Sequence, residues 1–64
     1  MNWRYYKDNE DDLWRVNDER MEIMEMSYEY RVWDYWSIPN NLEYLMKTYD
    51  AVMLTEEEAF LEML

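Results

Sequence analysis

A chain of 64 residues without a single glycine lacks the one residue type that enters positive φ at no steric cost, so its tight turns fall to asparagine and aspartate. Two further absences narrow the field. With no cysteine and no histidine, there is no disulfide framework, no thiolate or imidazole metal site, and no Ser-His or Cys-His nucleophile. A folded chain of this mass exposes about 4,500 Å² and buries only about 60 % of its unfolded surface. A deep catalytic cleft does not fit that size, and we expect a protein that is not an enzyme and carries no cofactor.

Sixteen Asp and Glu face six Lys and Arg, for a net charge of -10. Such a surface repels nucleic acid and anionic lipid and attracts basic partners. High charge alone would favour disorder, but four Trp, seven Tyr, one Phe and seven Met supply core material that acidic tails lack. The longest aliphatic or methionine run, Ala51 to Leu54, is far below the roughly 20 residues that span a bilayer. The start, Met1-Asn2-Trp3-Arg4, lacks an apolar stretch behind a basic flank, so we expect no signal peptide and a cytoplasmic protein.

Along the chain, Trp3 to Lys7 and Leu13 to Val16 are β-favouring segments separated by the polar run Asp8 to Asp12, which reads as a first hairpin. Asn17-Asp18 is placed to turn the chain again. From Arg20 to Trp36 the aromatic and β-branched alternation favours two strands with a break near Ser27, although residues 18 to 28 also have good helix propensity. Pro39 ends the sheet region and opens a helix in which Leu42, Leu45, Met46 and Tyr49 form one apolar stripe at i, i+3, i+4 and i+7. Asp50 to Leu54 reads as a brief strand or extended link. Thr55 with Glu58 three residues on is a capping box that opens a last helix to Leu64. The expected fold is α+β: a single domain over 1–64, with an antiparallel sheet of four to five strands mostly within 2–36 and helices near 40–49 and 55–64.

Asp8, Glu10 and Asp12, with Glu19 at the twelfth place, echo a calcium loop, but the sixth place holds Leu13 instead of the glycine that loop turns on. A solvated charged turn accounts for the run better. Met21, Met24, Met26, Met46, Met53 and Met63 serve either as adaptable core filler or as a pocket for a partner's side chain. The aromatics exceed what so small a core can hide, so several must face a partner or a second copy in a homodimer. Charge is unevenly spread: residues 1–32 hold nine acidic and five basic side chains, residues 33–64 seven and one. Carboxylates on alternate strand positions lie about 6.7 Å apart, commensurate with phosphates advancing about 3.4 Å along a nucleic-acid strand.

The segment Asp50-Ala51-Val52-Met53-Leu54-Thr55-Glu56-Glu57 resembles the key segment of the phage uracil-DNA glycosylase inhibitors: acidic, small, β-branched, Met-Leu, then a helix start with consecutive Glu. The resemblance covers about fifteen residues, Asp50 to Leu64. It implies an acidic strand that enters the enzyme's DNA-binding cleft, helix carboxylates in place of phosphates, and an apolar pocket that captures a leucine of the enzyme. Asp50 would be the cleft-entering acid with Ala51 beside it, and Glu56, Glu57 and Glu58 the acidic helix start, of which Glu57 and Glu58 would mimic phosphate. Val52, Met53, Leu54 and Leu61 would supply apolar contacts. Asp50 stands where that family has Glu and Ala51 where it has Ser, and the sheet precedes the segment instead of following it. The expected function is a DNA-mimic inhibitor of a DNA-processing enzyme, uracil-DNA glycosylase first, in the cytoplasm of an infected or host bacterial cell. Inhibition of restriction or CRISPR nucleases fits the same composition, and a homo-oligomeric assembly module is the alternative from another class.

Overall fold

The computed structural model describes residues 2–64; Met1 lies outside the described residues. Among the described residues five strands form one sheet: β1 (Arg4–Lys7), β2 (Leu13–Asn17), β3 (Glu22–Ser27), β4 (Val32–Ser37) and β5 (Val52–Leu54). Their order is β4-β3-β2-β1-β5 and every neighbouring pair is antiparallel. Between β4 and β5 a 3₁₀ turn at Pro39–Asn41 leads into helix α1 (Leu42–Tyr49), and helix α2 (Glu56–Met63) follows β5. This is the expected α+β architecture. The ambiguous stretch after Arg20 is strand, and because both sheet faces are covered it buries Ile23 on one face and Met26 on the other.

The two sheet faces are covered by different helices. On the first face Tyr6, Trp14, Val16 and Ile23 form the buried cluster, and Leu42, Leu45, Met46 and Tyr49 of α1 pack on it together with Trp36. The stripe read at i, i+3, i+4 and i+7 is therefore the contact face of α1. Trp14 is fully buried and meets Trp36 and Tyr49 edge-on at ring-centroid distances of 4.8 and 6.1 Å, a geometry the ring quadrupoles favour. On the second face Tyr5 meets Phe60 of α2 at 6.4 Å, Lys7 Nζ donates to Glu62 Oε1 at 3.0 Å, and Ala59 is fully buried. The part of this face away from α2 carries the Arg15 guanidinium stacked between the rings of Trp3 and Trp33, at 3.9 and 4.5 Å from their centroids. That sandwich ties the segment before β1 across the sheet to β4.

The turns depart from expectation in an instructive way. Positive φ occurs at Asp11, Met21, Arg31 and Asp50. Two of these are the aspartates that a glycine-free chain is expected to use, but Met21 and Arg31 are not turn formers. The second turn is not a tight reversal at Asn17-Asp18; it spans Asp18 to Met21, and Asn17 is the last residue of β2, its Oδ1 accepting the Arg20 N–H at 3.0 Å. The third turn takes residues 28–31, so Tyr28 and Tyr30, which belong to the alternating stretch from Arg20 to Trp36, stand in the turn just after the expected break near Ser27. Both turns end in a residue at φ near +55°, Met21 at 55° and Arg31 at 58°. The strand register beyond them requires that conformation whatever residue occupies it.

Candidate functional site

At the end of α1, Asp50 adopts the left-handed conformation, φ 55° and ψ 46°, and its N–H bonds the Met46 carbonyl. Aspartate tolerates this geometry better than most residues, which suits it to end a helix where glycine is missing. Ala51 N–H donates to the same carbonyl at 2.9 Å, and Ala51 packs half-buried against the core. The chain then enters β5, which pairs only with β1 among the described residues and forms one edge of the sheet. Val52 and Met53 are 61 % and 59 % exposed there. The pairing Lys7↔Val52 and Tyr5↔Leu54 puts Val52 and Leu54 on the α2 side, and Tyr6↔Met53 puts Met53 on the α1 side.

Thr55 closes the strand and caps α2. Glu58 N–H donates to Thr55 Oγ1 at 3.1 Å, and Thr55 N–H donates to Glu58 Oε1 at 2.9 Å, a complete capping box. These bonds hold the Glu58 carboxyl below its ordinary value, and they commit it to the helix start. Glu56 and Glu57 project from the same turn and, among the described residues, enter no ion pair. Together with Phe60, Leu61 and Leu64 they line an open groove of about 420 Å³ on the outer side of α2.

The structure strings the nine anticipated residues along one edge but divides them between the two faces: Asp50, Ala51 and Met53 lie toward α1, Val52 and Leu54 toward α2, and Glu56, Glu57, Glu58 and Leu61 on α2 itself. Of these, Glu56, Glu57 and Leu61 share the groove. Phe60 and Leu64, which also line it, were not anticipated; their spacing from Glu56, at i+4 and i+8, was the available signal. The methionines divide between roles: Met26 is buried and Met46 packs on the core, whereas Met21 and Met53 are more than half exposed.

A second feature was legible only in three dimensions. Asn9 N–H donates to the Tyr49 carbonyl at 2.9 Å, which pins the acidic β1–β2 turn against the residue preceding Asp50. Within that turn the Asp8 carboxylate faces inward: Oδ1 accepts the N–H groups of Glu10 and Asp12 at 2.8 and 3.0 Å, and Oδ2 accepts Trp14 Nε1 at 3.0 Å. Asp8 thus organises the turn and anchors the central tryptophan. Burial, then the charge of Asp8, raises the Asp12 carboxyl above its ordinary value; burial, then the charge of Asp12, does the same for Glu25. Glu25 and Asp34 face each other across β3 and β4, a like-charge pair that the sheet tolerates at some cost. Among the described residues no group of acidic side chains is arranged to hold a metal ion, and no helix is long and apolar enough to cross a membrane. No protein-family model matches this chain, and neither the curated proteins nor the solved structures compared with it contain a match.

Proposed function

We propose that this chain is a non-enzymatic inhibitor that occludes the DNA-binding cleft of a DNA-processing enzyme, with uracil-DNA glycosylase the specific target. The observation that carries the reading is the composition of one flank. After Lys47 the chain holds five carboxylates and no basic side chain, and four of them, Asp50, Glu56, Glu57 and Glu58, bracket an edge strand whose Val52 and Met53 face outward. The resemblance to the glycosylase inhibitors implies an acidic strand, helix carboxylates and an apolar pocket; here the carboxylates flank an apolar strand, with Asp50 ending α1 before it and Glu56 to Glu58 opening α2 after it. Although the sheet precedes this segment in the chain, pairing of β5 with β1 sets the segment at the sheet's edge, where a cleft can receive it. Carboxylates there would steer a basic protein on approach, and exposed apolar groups would slow its departure.

The test is cleavage of a uracil-containing oligonucleotide by a bacterial uracil-DNA glycosylase with and without this protein. Complete inhibition near equal stoichiometry, lost in Asp50→Asn, is the expected result. Asparagine keeps the left-handed backbone and removes only the charge. Undiminished cleavage would remove the glycosylase as target and move the assay to restriction and CRISPR nucleases.

One observation favours the assembly reading as well. The outer edge of β4 is six residues long, unpaired among the described residues, and exposes Val32 and Tyr35, a surface on which a second copy can add its own strand. Light scattering over a dilution series separates the two readings: a mass of twice 8.2 kDa that persists on dilution supports assembly, and a monomer supports the inhibitor.

A further inference from the structure

The groove on α2 has walls and a rim of different chemistry. Phe60, Leu61 and Leu64 supply the walls and are at least half exposed. Glu56 and Glu57 supply the rim at one end. Their neighbours on the same helix are already engaged: Glu58 closes the capping box and Glu62 holds Lys7. A wholly apolar occupant would strip water from two carboxylates and return no hydrogen bond, which is unfavourable. A long basic side chain resolves the conflict, because its methylene stem covers apolar wall while its charged head stays at the polar end.

Resting on the reading of this flank as the contact surface for a basic protein, we infer that the groove takes an arginine of the partner together with an adjacent apolar residue. Arginine is favoured over lysine by Phe60, since a planar guanidinium stacks on an aromatic face and meets carboxylates with paired donors. All five lining residues belong to α2 and its C-terminal cap, so the 420 Å³ groove is an open face of one helix and not an enclosed pocket. It accommodates the arginine stem along Leu61 and the neighbouring apolar side chain toward Leu64. The recognition element is therefore a two-residue one, in which charge is read by Glu56 and Glu57 and shape by the three apolar walls.

The experiment is a titration of the ¹⁵N-labelled chain with acetyl-leucyl-arginine amide and, separately, with its citrulline counterpart, which keeps the shape and loses the charge. The expected result is fast-exchange shifts concentrated on residues 56–64, with the arginine peptide binding about two- to fivefold more tightly, the range an exposed ion pair provides. In the double variant Glu56→Gln/Glu57→Gln the two peptides should bind alike, and in Leu61→Ser both should bind more weakly. These side chains are exposed and the Thr55–Glu58 cap is untouched, so the amide spectrum of each variant should remain that of the folded chain. Equal binding of the two peptides to the unmodified protein, shifts scattered away from α2, or no shifts at millimolar peptide would each overturn the inference. The titration contains no glycosylase, so its failure removes the arginine groove and leaves inhibition through Asp50 and β5 to its own assay; failure of that assay leaves the groove chemistry standing.

Discussion

Replacing Met21 with glycine should make this protein more stable, although it removes a side chain and adds the most flexible residue to the chain. Met21 sits at φ 55°, where the Cβ of an L-residue crowds its own backbone at a cost of roughly 1–2 kcal/mol. Its side chain is 51 % exposed, so little packing is lost with it. Glycine removes the crowding but gives the unfolded chain extra freedom worth about 0.4–1 kcal/mol. The net gain is then centred on about 0.8 kcal/mol. Unfolding entropy near 2.1 cal/mol/K per residue makes each kcal/mol worth about 7 °C in a chain of this size, so Tm should rise by about 4–7 °C.

Two comparisons isolate the cause. Met21→Ala keeps the Cβ and should show no such rise. Arg31→Gly relieves the same crowding at φ 58° but loses the Arg31 Nη1 bond to the Met63 carbonyl at 3.0 Å, a cationic contact at the end of α2 worth about 0.3–1 kcal/mol. It should come out near neutral. Thermal unfolding by circular dichroism reads all three variants. Equal Tm for Met21→Gly and Met21→Ala would refute the reasoning, because the backbone would then carry no strain that the Cβ creates.

Three other outcomes follow from the same structure. Asp8→Asn should cost about 1.5–3 kcal/mol, the range for a charge-assisted bond: an amide accepting Glu10 and Asp12 N–H on its oxygen turns its NH₂ toward Trp14 Nε1, donor against donor. Urea titration followed by tryptophan fluorescence measures the loss. Thr55→Ala removes the oxygen that accepts Glu58 N–H and should cost about 1 kcal/mol; an unchanged midpoint would show that α2 does not depend on its cap. Stability should increase as the pH is lowered from 7 toward about 4. The Asp12 and Glu25 carboxyls are held above their ordinary values in the folded state, so the folded chain binds protons more readily than the unfolded one. Glu58 works in the opposite sense, since its lowered value adds stability above its ordinary range that is lost as the pH falls below it. Glu25→Gln should flatten the rise in Tm on the acid side of neutrality, and a Tm that falls steadily from pH 7 to 5 would contradict the assignment.

Much of the fold was legible in the chain because the signals are local. The capping box needs only Thr55 and Glu58, three residues apart on one helical turn. The stripe from Leu42 to Tyr49 needs only the helical period, and α1 seats its four members on the core. Alternation after Arg20 separated strand from helix once the aromatic content was weighed. What was not legible is non-local or inward-facing. The run Asp8 to Asp12 reads as solvated charge because composition cannot show that the Asp8 carboxylate folds inward onto two backbone N–H groups and the Trp14 indole.

The sequence by itself determined that this protein has no glycine with which to turn, no thiol or imidazole with which to bind metal or attack a substrate, and a C-terminal stretch of carboxylates without countercharge. Those are properties of residue types and hold in any fold. Only the tertiary structure decided which backbone positions take positive φ, since the register of β2, β3 and β4 imposes that conformation on Met21 and Arg31 against their preference. It alone decided that β5 crosses to the far side of the sheet to pair with β1 and that the Asn9 amide holds the acidic turn beside Asp50. Each depends on contacts between residues distant in the chain, and the free energy of such contacts comes from burial and hydrogen bonding that exist only once the elements have packed.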